Sequence, residues 1–251
     1  MQLFPHLPSD RITSLSLPHI LPSEHVRALY VTHTATHQEM RFDYSNRDNP
    51  ILLSDLTDKL FILCKTVPRG LVVFLPSFAL LQTVIRYIHS SHRFASLNQY
   101  KCIFTEEREK DVFSSYSSYL KENPSKGALL FAVIGGKLSE GINFSDDLGR
   151  CIAIVGMPYP NKTDVVLQEK MNYLNQQESG SGQIYYTNLC MKAVNQAIGR
   201  AFRHKEDWAC VVFFDCRYGA HETRQRLTRW IDSRGTVCDS TESLIKQLEL
   251  F

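Results

Sequence analysis

The stretch Ala193-Val-Asn-Gln-Ala-Ile-Gly-Arg-Ala-Phe-Arg-His204 decides how the rest of this 251-residue sequence is read. Wound as a helix at about 100° per residue, it sets Gln196, Gly199, Arg200 and Arg203 on one stripe. Met191, Val194, Ile198, Ala201 and Phe202 fall on the other side. The spacing predicts a helix with one buried face and two guanidiniums aimed outward. Arginine stays charged and presents a planar fork of donors, so two of them one turn apart beside a glycine suit the oxygens of a phosphate chain. A solvated amphipathic helix with a coincidental arginine pair is the competing reading.

Outward from this stretch, continuous apolar runs alternate with helical patterns. Leu71-Val-Val-Phe-Leu75, Cys102-Ile-Phe-Thr105, residues 128–134, Cys151-Ile-Ala-Ile-Val155 and Ala209-Cys-Val-Val-Phe-Phe214 read as strands. Helices are predicted near 55–65, 77–89, 106–122 and 163–177, and a polar helix over 241–251. Runs that are apolar throughout belong to strands covered on both faces, so the expected fold is α/β, a parallel doubly wound sheet with helices on both sides. Residues 1–50, rich in Pro, His and Ser, read as a lead-in segment in which 28–31 and 40–44 have strand character. Residues 51–251 read as one domain, with a flexible loop at Glu178-Ser-Gly-Ser-Gly182.

In such sheets ligands gather where strands end. The run 128–134 leads straight into Gly135-Gly-Lys-Leu-Ser-Glu-Gly-Ile-Asn-Phe-Ser-Asp146, whose paired glycines permit a sharp bend and close approach to the backbone. It is not a Walker A loop: the G-x-x-x-x-G-K spacing and the following Ser or Thr are missing.

Together, the two stretches resemble motifs V and VI of the superfamily 2 helicases, in the wording of the XPD-like iron-sulfur DNA helicases and, within them, the chromosome-loss type. Val72-Val-Phe-Leu-Pro-Ser77 resembles motif IV, and Gly156-Met-Pro-Tyr-Pro160 resembles a Pro-aromatic-Pro turn of the same group; the match runs from about residue 71 to about 217. The resemblance implies a RecA-like, P-loop-NTPase-type second helicase domain. By the motif VI pattern Q-x-x-G-R-x-x-R, it implies that Arg200 and Arg203 are fingers on the γ-phosphate of ATP, with Gln196 and Gly199 beside them. By motif V it implies that Glu140, Gly141 and Asn143 lie on the ATP side. Many relatives carry aspartate where Asn143 stands, and Asn accepts the same hydrogen bond without the charge. Lys137 and Ser139 are open to either the ATP or the DNA side. Ser77 and Tyr159 are candidates for nucleic acid, against helix capping and the packing of a rigid turn.

The implied protein is an ATP-dependent 5′ to 3′ DNA helicase. Its cofactor is ATP with Mg2+, shared with a first domain, and a 4Fe-4S cluster is expected only in that preceding half. The implied partners are single-stranded or forked DNA, the N-terminal helicase domain, and cohesion or replication proteins, in the nucleus, in sister-chromatid cohesion or DNA repair. The sequence carries no Walker A motif, no D-E-x-H box and no four-cysteine set, so the expectation is a C-terminal half that turns over no ATP alone. The rivals are a non-catalytic fragment that binds DNA or a helicase partner, and an unrelated nucleotide-binding α/β domain.

Composition sets only broad bounds. A net charge of +2 neither supports nor excludes nucleic acid, since a local basic patch fits inside a near-neutral total. The seven cysteines form no C-x-x-C pair and several sit in apolar runs, so they read as reduced thiols without a metal site. No apolar run approaches the roughly 18 residues that a membrane span needs, and the N-terminus has no secretory leader pattern.

Overall fold

The computed structural model describes residues 11–13 and 20–251, except for the side chain of Glu140. Seven strands, β1 (Val26–Val31), β2 (Gly70–Leu75), β3 (Cys102–Thr105), β4 (Ala128–Val133), β5 (Cys151–Val155), β6 (Ala209–Phe214) and β7 (Gly235–Cys238), form one sheet in the order β3-β4-β2-β5-β6-β1-β7. Every pairing is parallel. The helices are α1 (Pro50–Thr66), α2 (Phe78–Ser90), α3 (Phe94–Tyr100), α4 (Val112–Glu122), α5 (Lys137–Gly141), α6 (Val165–Gln177), α7 (Ser181–Ile198), α8 (His221–Arg224), α9 (Arg229–Asp232) and α10 (Thr241–Glu249).

The strands are apolar throughout because each feeds two cores. Side chains alternate across a strand, so Leu71, Val73 and Leu75 of β2 enter one cluster with α1, α2 and α10, while Val72 and Phe74 enter another with α4 and α7. β4 and β6 divide in the same way: Leu129, Phe131, Val212 and Phe214 to the first, Leu130, Ala132, Val211 and Phe213 to the second. Because all strands run the same way, their carboxyl ends share one edge. Ser77, Gly135 and Gly156 follow the ends of β2, β4 and β5 there.

Three expectations change. Residues 28–31 fall within β1, an interior strand between β6 and β7, so the sheet draws on the lead-in. Residues 40–44 form no strand; Met40 and Phe42 are buried instead, and the Phe42 N–H donates to Asp215 Oδ2 at 2.9 Å. The helix predicted from 106 begins at Val112, where Asp111 accepts the N–H of Ser114. Glu106 is buried at the end of β3 with another task, described below. At the opposite edge Lys101 is 1% exposed; its Nζ donates to Arg69 O at 2.6 Å, and burial pulls its pKa down to about 8.

Candidate functional site

The loop after β4 turns at Gly135, whose φ of +78° favours glycine. Ser139 Oγ accepts the Gly135 N–H at 2.7 Å and donates to Gly136 O at 3.2 Å. Ser139 is 4% exposed, so its hydroxyl closes the loop from inside and does not face a ligand. Lys137 opens α5 and is exposed, as are Gly141 and Asn143. Glu140 lies outside the described side chains.

The arginine stretch departs from the predicted stripe. α7 ends at Ile198, one 3-10 turn covers Gly199–Ala201, and Phe202 is extended. The reason lies in where the next backbone groups go. Continuing the helix needs the Arg203 N–H on Gly199 O and Arg200 O on the His204 N–H. Instead the Arg203 N–H donates to Asp207 Oδ2 at 3.1 Å, and Arg200 O accepts the Phe144 N–H at 2.7 Å. Tertiary partners end the helix where periodicity alone continues it.

The diverted turn joins the two stretches. Besides Arg200 O on Phe144, Arg200 Nε donates to Ser139 O at 3.2 Å, so one arginine grips both ends of the segment 139–144. Lys137, Asn143, Gly199 and Arg203, close in sequence to this junction, are exposed; Gln196 is exposed too, in a groove with Asn188, Lys192 and Arg226. No hydrogen bond or ion pair of the Arg203 side chain occurs among the described residues. A Cβ at Gly141 or Gly199 meets nothing within 4 Å, so no neighbour in the chain demands glycine at either place and the surface there is open. An open face with exposed cations suits an anionic ligand.

Beneath it, Asp207 is 1% exposed and accepts the N–H groups of Arg203 and Asp146 and Nη1 of Arg150, at 3.1, 3.0 and 3.3 Å. Asp146, His204 and Asp207 place ligand-type atoms within 4.8 Å of one another, but Asp207 is committed to three donors, one of them cationic. That arrangement holds the backbone and disfavours a metal ion.

The remaining predicted residues sit apart from the Arg200 junction, beyond the carboxyl ends of β2 and β5. A cleft of about 650 Å³ opens there between residues 41–47 and the loop after β5, lined by Arg41, Arg47, Ser77, Tyr159 and Lys162 among others. Ser77 is exposed and its Oγ caps α2 through the Leu80 N–H at 3.2 Å. Tyr159 is half-buried, one ring face covered by Tyr186 at 4.9 Å, and Tyr186 Oη donates to Pro160 O at 2.8 Å. Arg41, Arg47, Lys162 and Arg217 line this cleft and were not singled out from the sequence. Single arginines and lysines in polar segments carry no periodic signal; their convergence is a product of the topology.

Residues 60–234 match the helicase C-terminal domain family. The chain belongs to that family. Relatives of this helicase C-terminal domain include the ATP-dependent DNA helicase chl-1 of Caenorhabditis elegans, 38% identical over 245 residues that make up 97% of this chain and 29% of that protein. The ATP-dependent DNA helicase DDX11 of Danio rerio is 40% identical over 238 residues, 89% of this chain and 27% of that protein. The chain thus spans less than a third of the length of these curated relatives. The fold of the helicase C-terminal domain is shared with a solved XPD helicase at TM-score 0.62 and 19% identity, over 85% of this chain and 35% of that one. It is the RecA-like fold that the motif resemblance implies, built on the parallel sheet expected from the alternating strands and helices. None of its described helices is long and apolar enough to cross a membrane.

Proposed function

We propose that this helicase C-terminal domain is the second motor domain of a chromosome-loss-type, ATP-dependent DNA helicase, closing on a nucleotide held mainly by a first domain. The observation that carries the proposal is the junction at Arg200, which locks the segment 139–144 to the end of α7, with Lys137, Asn143 and Arg203 beside it in sequence and exposed. The exposed cations and the open glycines fit the phosphates of ATP.

The two arginines then have different tasks. Arg200 is tied to Ser139 O and holds the loop in register, with its charge next to the phosphates. Arg203, exposed on a backbone fixed by Asp207, is the finger that meets charge developing on the γ-phosphoryl group. Asn143 accepts a ribose hydroxyl. Mg2+ bound with the nucleotide would neutralise phosphate charge, and the 4Fe-4S cluster of the family would lie in a preceding half. The basic cleft at the carboxyl edge tracks the backbone of a single strand, in 5′ to 3′ unwinding serving cohesion or repair in the nucleus.

The test is hydrolysis of ATP by this chain alone and by the chain joined to the preceding half of a chromosome-loss-type relative. The expected result is no DNA-stimulated turnover for the chain alone and turnover for the joined protein. Turnover by the purified chain alone overturns the shared-site reading, and a joined protein that folds, binds DNA and never hydrolyses ATP favours the non-catalytic fragment.

A further inference from the structure

Glu106 stands outside every motif quoted above, yet it holds the loop on which the nucleotide face is built. It is 4% exposed at the exit of β3, and its own N–H donates to Phe131 O at 2.8 Å, which fixes its backbone against β4. From there the side chain spans the turn: Oε2 accepts the Val133 N–H at 2.7 Å and Oε1 the Leu138 N–H at 3.3 Å. One carboxylate thus ties the last residue of β4 to the first turn of α5.

α5 needs this. It has five residues, and its N-cap is Gly136, which has no side chain to receive the unpaired amides of a first helical turn. Glu106 supplies the acceptor from the neighbouring strand. A Cβ on Gly136 would stand 2.8 Å from Oε1 and 2.9 Å from Val133 O, so a glycine there is what admits the carboxylate. A buried carboxylate facing backbone donors is a costly group that gains its keep through orientation, because each of its hydrogen bonds is charge-assisted and directional.

We infer that Glu106 is a positioning residue that sets the angle at which Lys137 through Asn143 are presented to the nucleotide, which rests on the reading of that face given above. The test is hydrogen exchange on this chain, followed by turnover in the joined protein, for Glu106→Gln and Glu106→Asp. Gln keeps the shape but turns an N–H₂ toward one of the two donors; Asp keeps the charge but is one methylene too short to reach both. Amides in 134–139 are expected to exchange about tenfold faster in either variant while those of β2 and β5 do not change. In the joined protein kcat is expected to fall about tenfold with KM for ATP changed less than about twofold, as for an interaction made in the transition state. Exchange in 134–139 equal to wild type in both variants overturns the inference whatever the face binds, and should the Gln variant not fold, the Asp variant is read alone. Faster exchange with kcat unchanged also overturns it. In that case Arg203→Ala separates the causes: loss of turnover there leaves the nucleotide reading intact, and retention shows that the nucleotide reading has failed.

Discussion

Asp207 holds Arg203 by its backbone: Oδ2 accepts the Arg203 N–H at 3.1 Å, while Oδ1 takes the Asp146 N–H and Nη1 of Arg150. The carboxylate is fully buried, so removing it takes the acceptor from two amides at once, while Arg150 keeps Asp147 and Trp208 O. Asp207→Ala is expected to lower stability by about 2 to 3 kcal/mol in urea unfolding, the cost of leaving two backbone donors without their acceptor. A loss under about 1 kcal/mol contradicts the hub described here.

For the joined protein, Arg203→Ala is expected to abolish ATPase activity and unwinding while fold and single-strand binding remain. A finger arginine is worth roughly 10³ to 10⁵ in rate, or about 4 to 7 kcal/mol of transition-state stabilisation, far above what an exposed ion pair supplies. Arg203→Lys is expected to be nearly as severe, since the planar fork is lost. Retention of more than about a tenth of wild-type turnover refutes the finger role.

Arg200→Ala is expected to behave differently, because Arg200 Nε is spent on Ser139 O. Turnover falls, and exchange of the segment 139–144 rises with it, whereas Arg203→Ala leaves that segment as protected as before. Equal exchange in the two variants removes the distinction drawn between the arginines.

Single-strand binding at the carboxyl-edge cleft is expected to be weak and to decline steeply with salt, as phosphate contacts release counterions. Lys162→Ala and Arg47→Ala are each expected to reduce the salt slope by about 1. Titration of a labelled oligonucleotide across salt concentrations checks this, and an affinity flat from low to physiological salt contradicts a cleft that follows the backbone.

Lys101 gives a pH dependence with a definite sign. Its folded pKa, about 8, lies below the usual 10.5, so from about pH 8 to 10.5 the unfolded chain binds the extra proton and the folded chain does not. The burial penalty is therefore present in full below pH 8 and fades as pH rises. Lys101→Met is expected to be more stable than wild type by about 2 kcal/mol at pH 7, net of the lost bond to Arg69 O. That margin closes toward pH 10.5. Denaturant unfolding of both proteins across this range measures it; a margin independent of pH refutes it.

The central strands were legible in the sequence because burial on both faces leaves no polar position, and β2, β4, β5 and β6 are continuous apolar runs. β1 was visible as a strand but not as an interior one, since pairing partners 183 and 207 residues distant leave no local trace. Of the expected outward pair only Arg203 is exposed; Arg200 is half-buried against Ser139 O, and no helix links the two. Periodicity records what a segment can do alone, and Phe144 and Asp207 capture the backbone groups that would have prolonged it. Glu106 read as an acidic helix start for the same reason: the amides it meets lie across the sheet.

α7 enters the carboxyl-edge cleft at Tyr186, whose hydroxyl is bonded to Pro160, and hands over to Arg200 after Ile198. The twelve helical steps from Tyr186 to Ile198 make a rod of about 18 Å. A hydrogen-bonded helix packed against a sheet neither stretches nor shortens appreciably. A rigid shift of α7 along its axis therefore moves both ends alike, so under the function proposed above the helix would couple the nucleotide face to the cleft.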